Sequence, residues 1–86
     1  MDYKMELAQT GALMTSDDYK ERFLAEYHQL LTRYAKLSNM VEAWDKGELS
    51  FIPTCPREIY DFQLGAMKCY LACLESRAKT EGIELN

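Results

Sequence analysis

A side chain acts as nucleophile, general base or metal ligand only when partners of the right type can reach it. The reactive residues of this chain are few. His28 is the single histidine. The helical pattern around it places it on a polar side, away from the apolar seam, where a surface histidine is expected. No serine or cysteine has a base and an acid nearby that would make a triad. Zinc takes about four ligands, and Cys69, Cys73 and His28 offer at most three, on different faces. The cysteines, Cys55, Cys69 and Cys73, are odd in number and lack framework spacing. Cys69 and Cys73 lie four apart on a predicted helix, where Cβ atoms are about 5–6 Å apart. A disulfide wants about 3.8 Å, so reduced thiols in a cytosol are expected. The four glycines, at 11, 47, 65 and 82, form no phosphate loop. No catalytic residue, metal or cofactor is expected. The chain reads as a protein of binding or assembly rather than an enzyme.

The side chains better suited to binding are Arg77, Gln63 and the tyrosines. Arg77 and Gln63 interrupt an otherwise apolar stripe on the second predicted helix. Each has a plain partner in an antiparallel pairing: Ser38 for Gln63, and Glu26 for Arg77. Each could equally line a ligand site or an interface, and arginine is the natural holder of phosphate there. Tyr27, Tyr34 and Tyr60 fall on the seams and belong to the core. Tyr19 and Tyr70 are less committed, and their rings could stack a base.

Two long helices must position these groups. After Met14 comes Thr15-Ser16-Asp17-Asp18, a cluster that caps helices and places acids in a first turn. Apolar residues then run Phe23, Tyr27, Leu30, Tyr34, Leu37, Val41 and Trp44, spaced 4, 3, 4, 3, 4, 3. That is a heptad seam. It predicts a helix over 17–45, ended by Gly47 in the left-handed conformation. The connection GELSFIPTCP, residues 47–56, contains two prolines and cannot continue the helix. Leu49, Phe51 and Ile52 are expected to fold back and plug this end, with Thr54 or Cys55 capping the next helix. The second helix is predicted over 56–81, with Gly82 stopping it. Its seam is Tyr60, Leu64, Met67, Leu71, Leu74 and Ala78. Gly65 sits within it, at a cost of about 1 kcal/mol relative to alanine, by chance or for a close helix approach.

The second helix carries a further stripe, Ile59, Phe62, Ala66, Tyr70 and Cys73, more apolar surface than one partner helix covers. Either another protomer buries it or residues 1–13 fold over it. These first residues end at a Gly11 break, Asp2–Gln9 could form a short helix, and Met14 could be the initiator. The expected fold is all-α. It is an antiparallel two-helix hairpin of residues 14–86 with a short N-terminal extension or helix over 1–13, completed by oligomerisation. A net charge of −4 argues against a nucleic-acid polymer as partner. No apolar run approaches the roughly 20 residues of a membrane span, and no secretory signal is evident.

The segment Tyr60–Ala78, YDFQLGAMKCYLACLESRA, resembles the second helix of small bacteriophage hairpin proteins. The likeness rests on Phe62-Gln63, Met67 and Arg77-Ala78. The opening Asp17-Asp18-Tyr19-Lys20-Glu21-Arg22 and the closing Glu81-Gly82-Ile83-Glu84-Leu85 are also similar to such proteins. Some of that general shape are anti-defence sponges, which assemble as oligomers and sequester cyclic nucleotide immune signals. The resemblance implies a homo-oligomer in the bacterial host cytoplasm. Its partners would be itself and a cyclic nucleotide; the residues that could hold one, Arg77, Gln63, Tyr70 and Tyr19, are read from this sequence and not carried over from the family. An accessory hairpin docking on a host protein is the other reading.

Overall fold

The computed structural model describes residues 7–85. They form three helices, α1 Leu7–Met14, α2 Tyr19–Asp45 and α3 Arg57–Glu81, with no strand among the described residues. The fold is therefore all-α, and the N-terminal segment, expected as an extension or a short helix, supplies a third helix over Leu7–Met14. The part of the predicted N-terminal helix over residues 2–6 lies outside the described residues.

Local chemistry sets the helix ends. The Asp18 carboxylate accepts from the Lys20 amide at 2.9 Å, and Ser16 Oγ accepts from the Asp18 amide at 3.0 Å. The Ser16 hydroxyl also donates to Glu21 in the first turn. At the other end Gly47 turns out of α2 at φ 72°, and the Glu48 amide reaches back to the Ala43 carbonyl at 2.8 Å. Gly82, at φ 70°, does the same for α3, with Ile83 N–H donating to the Ala78 carbonyl at 2.8 Å. Ile83 and Ala78 are both buried in the core, the apolar contact that accompanies this stop. The start of α3 differs from expectation. Pro56 occupies the cap position with no side-chain hydrogen bond, so neither Thr54 nor Cys55 caps this helix. Glu58 in the first turn is left to offset the exposed amides.

α2 and α3 pack antiparallel through the two seams. Tyr19 meets Glu81, Tyr27 meets Glu75, and Trp44 meets Tyr60. Phe23, Tyr27, Leu71, Leu74, Ala78 and Ile83 form the buried cluster, flanked by Leu30, Leu31 and Tyr34. The deepest core thus lies where α2 begins and α3 ends. The connection does not plug the opposite end. Phe51 is exposed, Ile52 is 91% exposed, and Leu49 is half-buried. Ile52 precedes Pro53 and Cys55 precedes Pro56, and a residue before proline is restricted to extended backbone. That restriction opposes a fold-back.

α1 corrects two expectations and bears on one alternative that the sequence leaves open. The helix runs through Gly11 rather than ending there. It packs on α2 and makes no packing contact with α3, so Leu7–Met14 leaves the second stripe of α3 uncovered. Its seat is the side of α2 opposite the α3-facing seam, where Ala25 and Thr32 are fully buried. These short side chains let a helix approach closely. Thr10 is fully buried as well, its hydroxyl donating to the Leu7 carbonyl at 2.6 Å. Gln29 Nε2 donates to Met14 Sδ at 3.5 Å. The side of α2 read as polar and solvated is therefore an interhelical surface.

Candidate functional site

The antiparallel pairing of α2 and α3 brings the first turn of one beside the last turns of the other. Tyr19 and Arg77 meet there. Arg77 Nη2 donates to the Tyr19 hydroxyl at 2.8 Å, and that hydroxyl donates to Glu81 Oε1 at 2.8 Å. Glu81 Oε2 lies 3.5 Å from Arg77 Nε, one helical turn along α3. The guanidinium also sits over the Phe23 ring, 4.9 Å from its centroid, and Tyr19 meets the same ring edge-on. A cation over an aromatic face is attracted by the ring quadrupole. Hydrogen bonding to Tyr19 is the largest cause holding the Arg77 pKa further above its ordinary value; desolvation opposes it, and Glu81 adds a smaller contribution. The result is a half-exposed, firmly charged arginine with two donor edges and aromatic rings beside it. Such a group can hold an anion that carries an aromatic base.

Arg77 does not pair with Glu26. The Tyr70 hydroxyl donates to Glu26 instead. Tyr70 lies two turns before Arg77 on the same face of α3, about 10 Å along the helix. Gln63 lies two turns further back, is exposed, and makes no hydrogen bond to Ser38. Of the four predicted site residues, the fold joins Tyr19 and Arg77 directly and sets Tyr70 in line with them. Within one chain Gln63 stands apart. Phe23 and Glu81 were not singled out as site residues. Phe23 has seam spacing and reads as pure core. Glu81 is four residues after Arg77, and that helical neighbour spacing was the available signal.

Tyr27 lies on the other flank. Its hydroxyl donates to Glu75 Oε2 at 3.1 Å. Burial first, and then the Glu75 carboxylate, push its pKa up to about 12. His28 departs from the surface reading. It is half-buried, its ring meets Tyr27 edge-on at 5.4 Å, and its Nδ1 is buried without a hydrogen-bond partner. Among the described residues no carboxylate or nucleophile joins it. Among the described residues no group of three histidine, cysteine or acidic side chains could hold a metal ion. The three cysteines are free thiols, Cys55 half-buried, Cys69 and Cys73 exposed. No described helix is long and apolar enough to cross a membrane.

At the connection end, Arg57 binds the Asp45 carboxylate through Nε and Nη2, both at 3.0 Å, and Asp61 through Nη1 at 2.6 Å. These bonds lower the Asp45 pKa, hydrogen bonding to Arg57 being the largest cause. Arg57 also lies over the Trp44 ring, 5.9 Å from its centroid. This arginine is fully engaged by carboxylates and closes the loop.

Fold and site together describe a small all-helical protein with an arginine, a tyrosine and a glutamate clustered at one end of its long helix pair. Residues 17–80 match the Sequestin family, and the chain belongs to it. The match takes in α2, the connection and all of α3 but its last residue, Glu81, and with them every predicted site residue. The family name suggests sequestration and specifies no ligand. No curated protein and no solved structure matches the chain.

Proposed function

We propose that this protein sequesters a cyclic nucleotide immune signal, without catalysis, as a bacteriophage anti-defence protein working in the cytoplasm of the infected bacterium. Membership of the Sequestin family over residues 17–80 carries this reading. The resemblance of the Tyr60–Ala78 segment to phage hairpin proteins supplies the phage origin and the class of ligand. The site supplies the means. A ligand phosphate takes charge-assisted hydrogen bonds from Arg77, and Tyr19 or Tyr70 stacks a base. Two packed helices do not enclose a ligand, and pockets in helical assemblies form between helices. The functional unit is therefore a homo-oligomer, with the ligand between copies.

Glu81 sharpens the reading, because its carboxylate sits beside Arg77 where a phosphate would bind. A ligand must displace it, so Glu81→Gln should tighten binding. Thermal shift against a panel of cyclic di- and trinucleotides is the first experiment. A ligand at 100 times its dissociation constant adds about 2.7 kcal/mol of stability. A panel in which nothing moves the melting temperature removes the ligand.

One feature favours a second reading. Phe51 and Ile52 in the connection and Phe62 in α3 are exposed large apolar side chains, and exposed apolar surface of this kind marks contacts. In that reading the protein is a phage accessory hairpin that docks on a host protein. Saturable binding to a cyclic nucleotide, unaffected by Ile52→Ser, argues for the first reading.

A further inference from the structure

α3 carries two heptad seams, and among the described residues only one of them is packed. Tyr60, Leu64, Met67, Leu71, Leu74 and Ala78 face α2 and are half-buried or buried. On the nearly opposite face run Ile59, Phe62, Ala66, Cys69, Cys73 and Ser76, spaced 3, 4, 3, 4, 3, and all are exposed. Side chains in that rhythm are knobs for another helix. α1 packs elsewhere and leaves them open. We infer that this second seam is covered by α3 of a second copy, packed antiparallel across a two-fold axis near Cys69.

Three observations select this occupant and direction. The first is shape. The seam is bulky at its start, with Ile59 and Phe62, and small from Ala66 to Ser76. Antiparallel pairing lays the bulky end of each copy on the small end of the other. Parallel pairing stacks Phe62 on Phe62 and leaves the small ends short of contact. The second is charge. α3 has Glu58 in its first turn and Lys79 in its last. Antiparallel pairing sets each acid opposite the base of the other copy, and parallel pairing sets like on like. A face complementary to itself in this way is the mark of a two-fold dimer. The third is Gly65, which borders the seam. A side chain there would meet nothing within the chain. Internal packing thus gives no reason for a helix-weakening residue, whereas two α3 axes crossing at about 8 Å do.

The pairing also completes the candidate site. With the axis near Cys69, Gln63 of the second copy lies beside Arg77 of the first, and Tyr70 lies close to the axis. Each dimer then carries two such sites. Their assignment to a cyclic nucleotide rests on the function proposed above, while the pairing rests on α3 alone.

Disulfide trapping tests it on the full chain. Retaining Cys69 in a Cys55→Ser/Cys73→Ser background should give a cross-linked dimer on mild oxidation. Retaining Cys55 alone should give none. With all three cysteines replaced by serine, Phe62→Cys and Ser76→Cys should cross-link when mixed, and neither alone. Self-linking of Phe62→Cys would establish the parallel arrangement and overturn the proposal. So would a wild-type monomer in sedimentation at tens of micromolar with no cross-link at Cys69. Ala66→Arg, on an exposed position, should dissociate the dimer and leave the helical circular dichroism of the chain unchanged. A cross-linking protein that binds no cyclic nucleotide keeps the pairing and removes the ligand, and a monomer that binds one does the reverse.

Discussion

The two ends of the α2–α3 pair are built on different principles. Where α2 begins and α3 ends, Phe23, Tyr27, Leu74, Ala78 and Ile83 are buried together, and the polar groups above them sit on a packed floor. Where the connection lies, the helices are joined by Arg57, Asp45 and Asp61 and by the Trp44–Tyr60 contact, while Phe51, Ile52 and Phe62 face outward. Exposed ion pairs contribute little to stability, and burial of apolar surface contributes most. The first end is thus the stable one, and it is also the end that holds the free edge of an arginine. An anion site needs a guanidinium held in one place, and the Phe23 ring and Tyr19 hydroxyl hold Arg77 there.

The contrast breaks most visibly by truncation. Leu74 is 1% exposed, and Leu74→Ala should cost about 2–5 kcal/mol in urea unfolding followed by circular dichroism. Total stability for a chain of this size is on the order of 4–13 kcal/mol. Phe62 is larger but 77% exposed. Phe62→Ala should change stability by less than about 0.5 kcal/mol at concentrations where copies are apart. Equal losses at the two positions would refute the asymmetry.

Alkaline pH sharpens it at the packed end. The folded Tyr27 pKa is raised to about 12, so the folded state keeps a proton that the unfolded chain gives up near its ordinary pKa of about 10. The stabilisation is fully present below about 10 and is lost as pH rises through about 12. Thermal melts between these limits should show a declining limb that Tyr27→Phe flattens. The smallest effect belongs to the connection. The folded Asp45 pKa is lowered, so its contribution is present above the ordinary carboxylate range and is lost as pH falls through the lowered value. Asp45→Asn should reduce the melting temperature slightly at neutral pH, and high salt should erase the difference.

The same contrast explains what was legible in the sequence. The two seams could be read because apolar residues at 3-4 spacing leave little choice of helix face, and both long helices fall within a residue or two of their predicted ends. α1 could not be read in this way. It is short, contains Gly11, and docks on Ala25 and Thr32, residues whose value lies in their small size rather than their hydrophobicity. The expected plug failed at Ile52 and Phe51 because apolar character alone does not bring a segment back when two prolines stiffen it. Tyr19 and Arg77 were legible as candidates. Their direct contact was not, since long side chains reach about a turn beyond the residue opposite them and register alone does not choose their partner.

Titration calorimetry with cyclic di- and trinucleotides, comparing wild type with Arg77→Ala, tests the central claim most directly. The account predicts saturable binding to wild type and its loss in Arg77→Ala, with the helical circular dichroism of the variant unchanged. Absence of heat from every cyclic nucleotide with wild type, or equal binding by the two proteins, would contradict it.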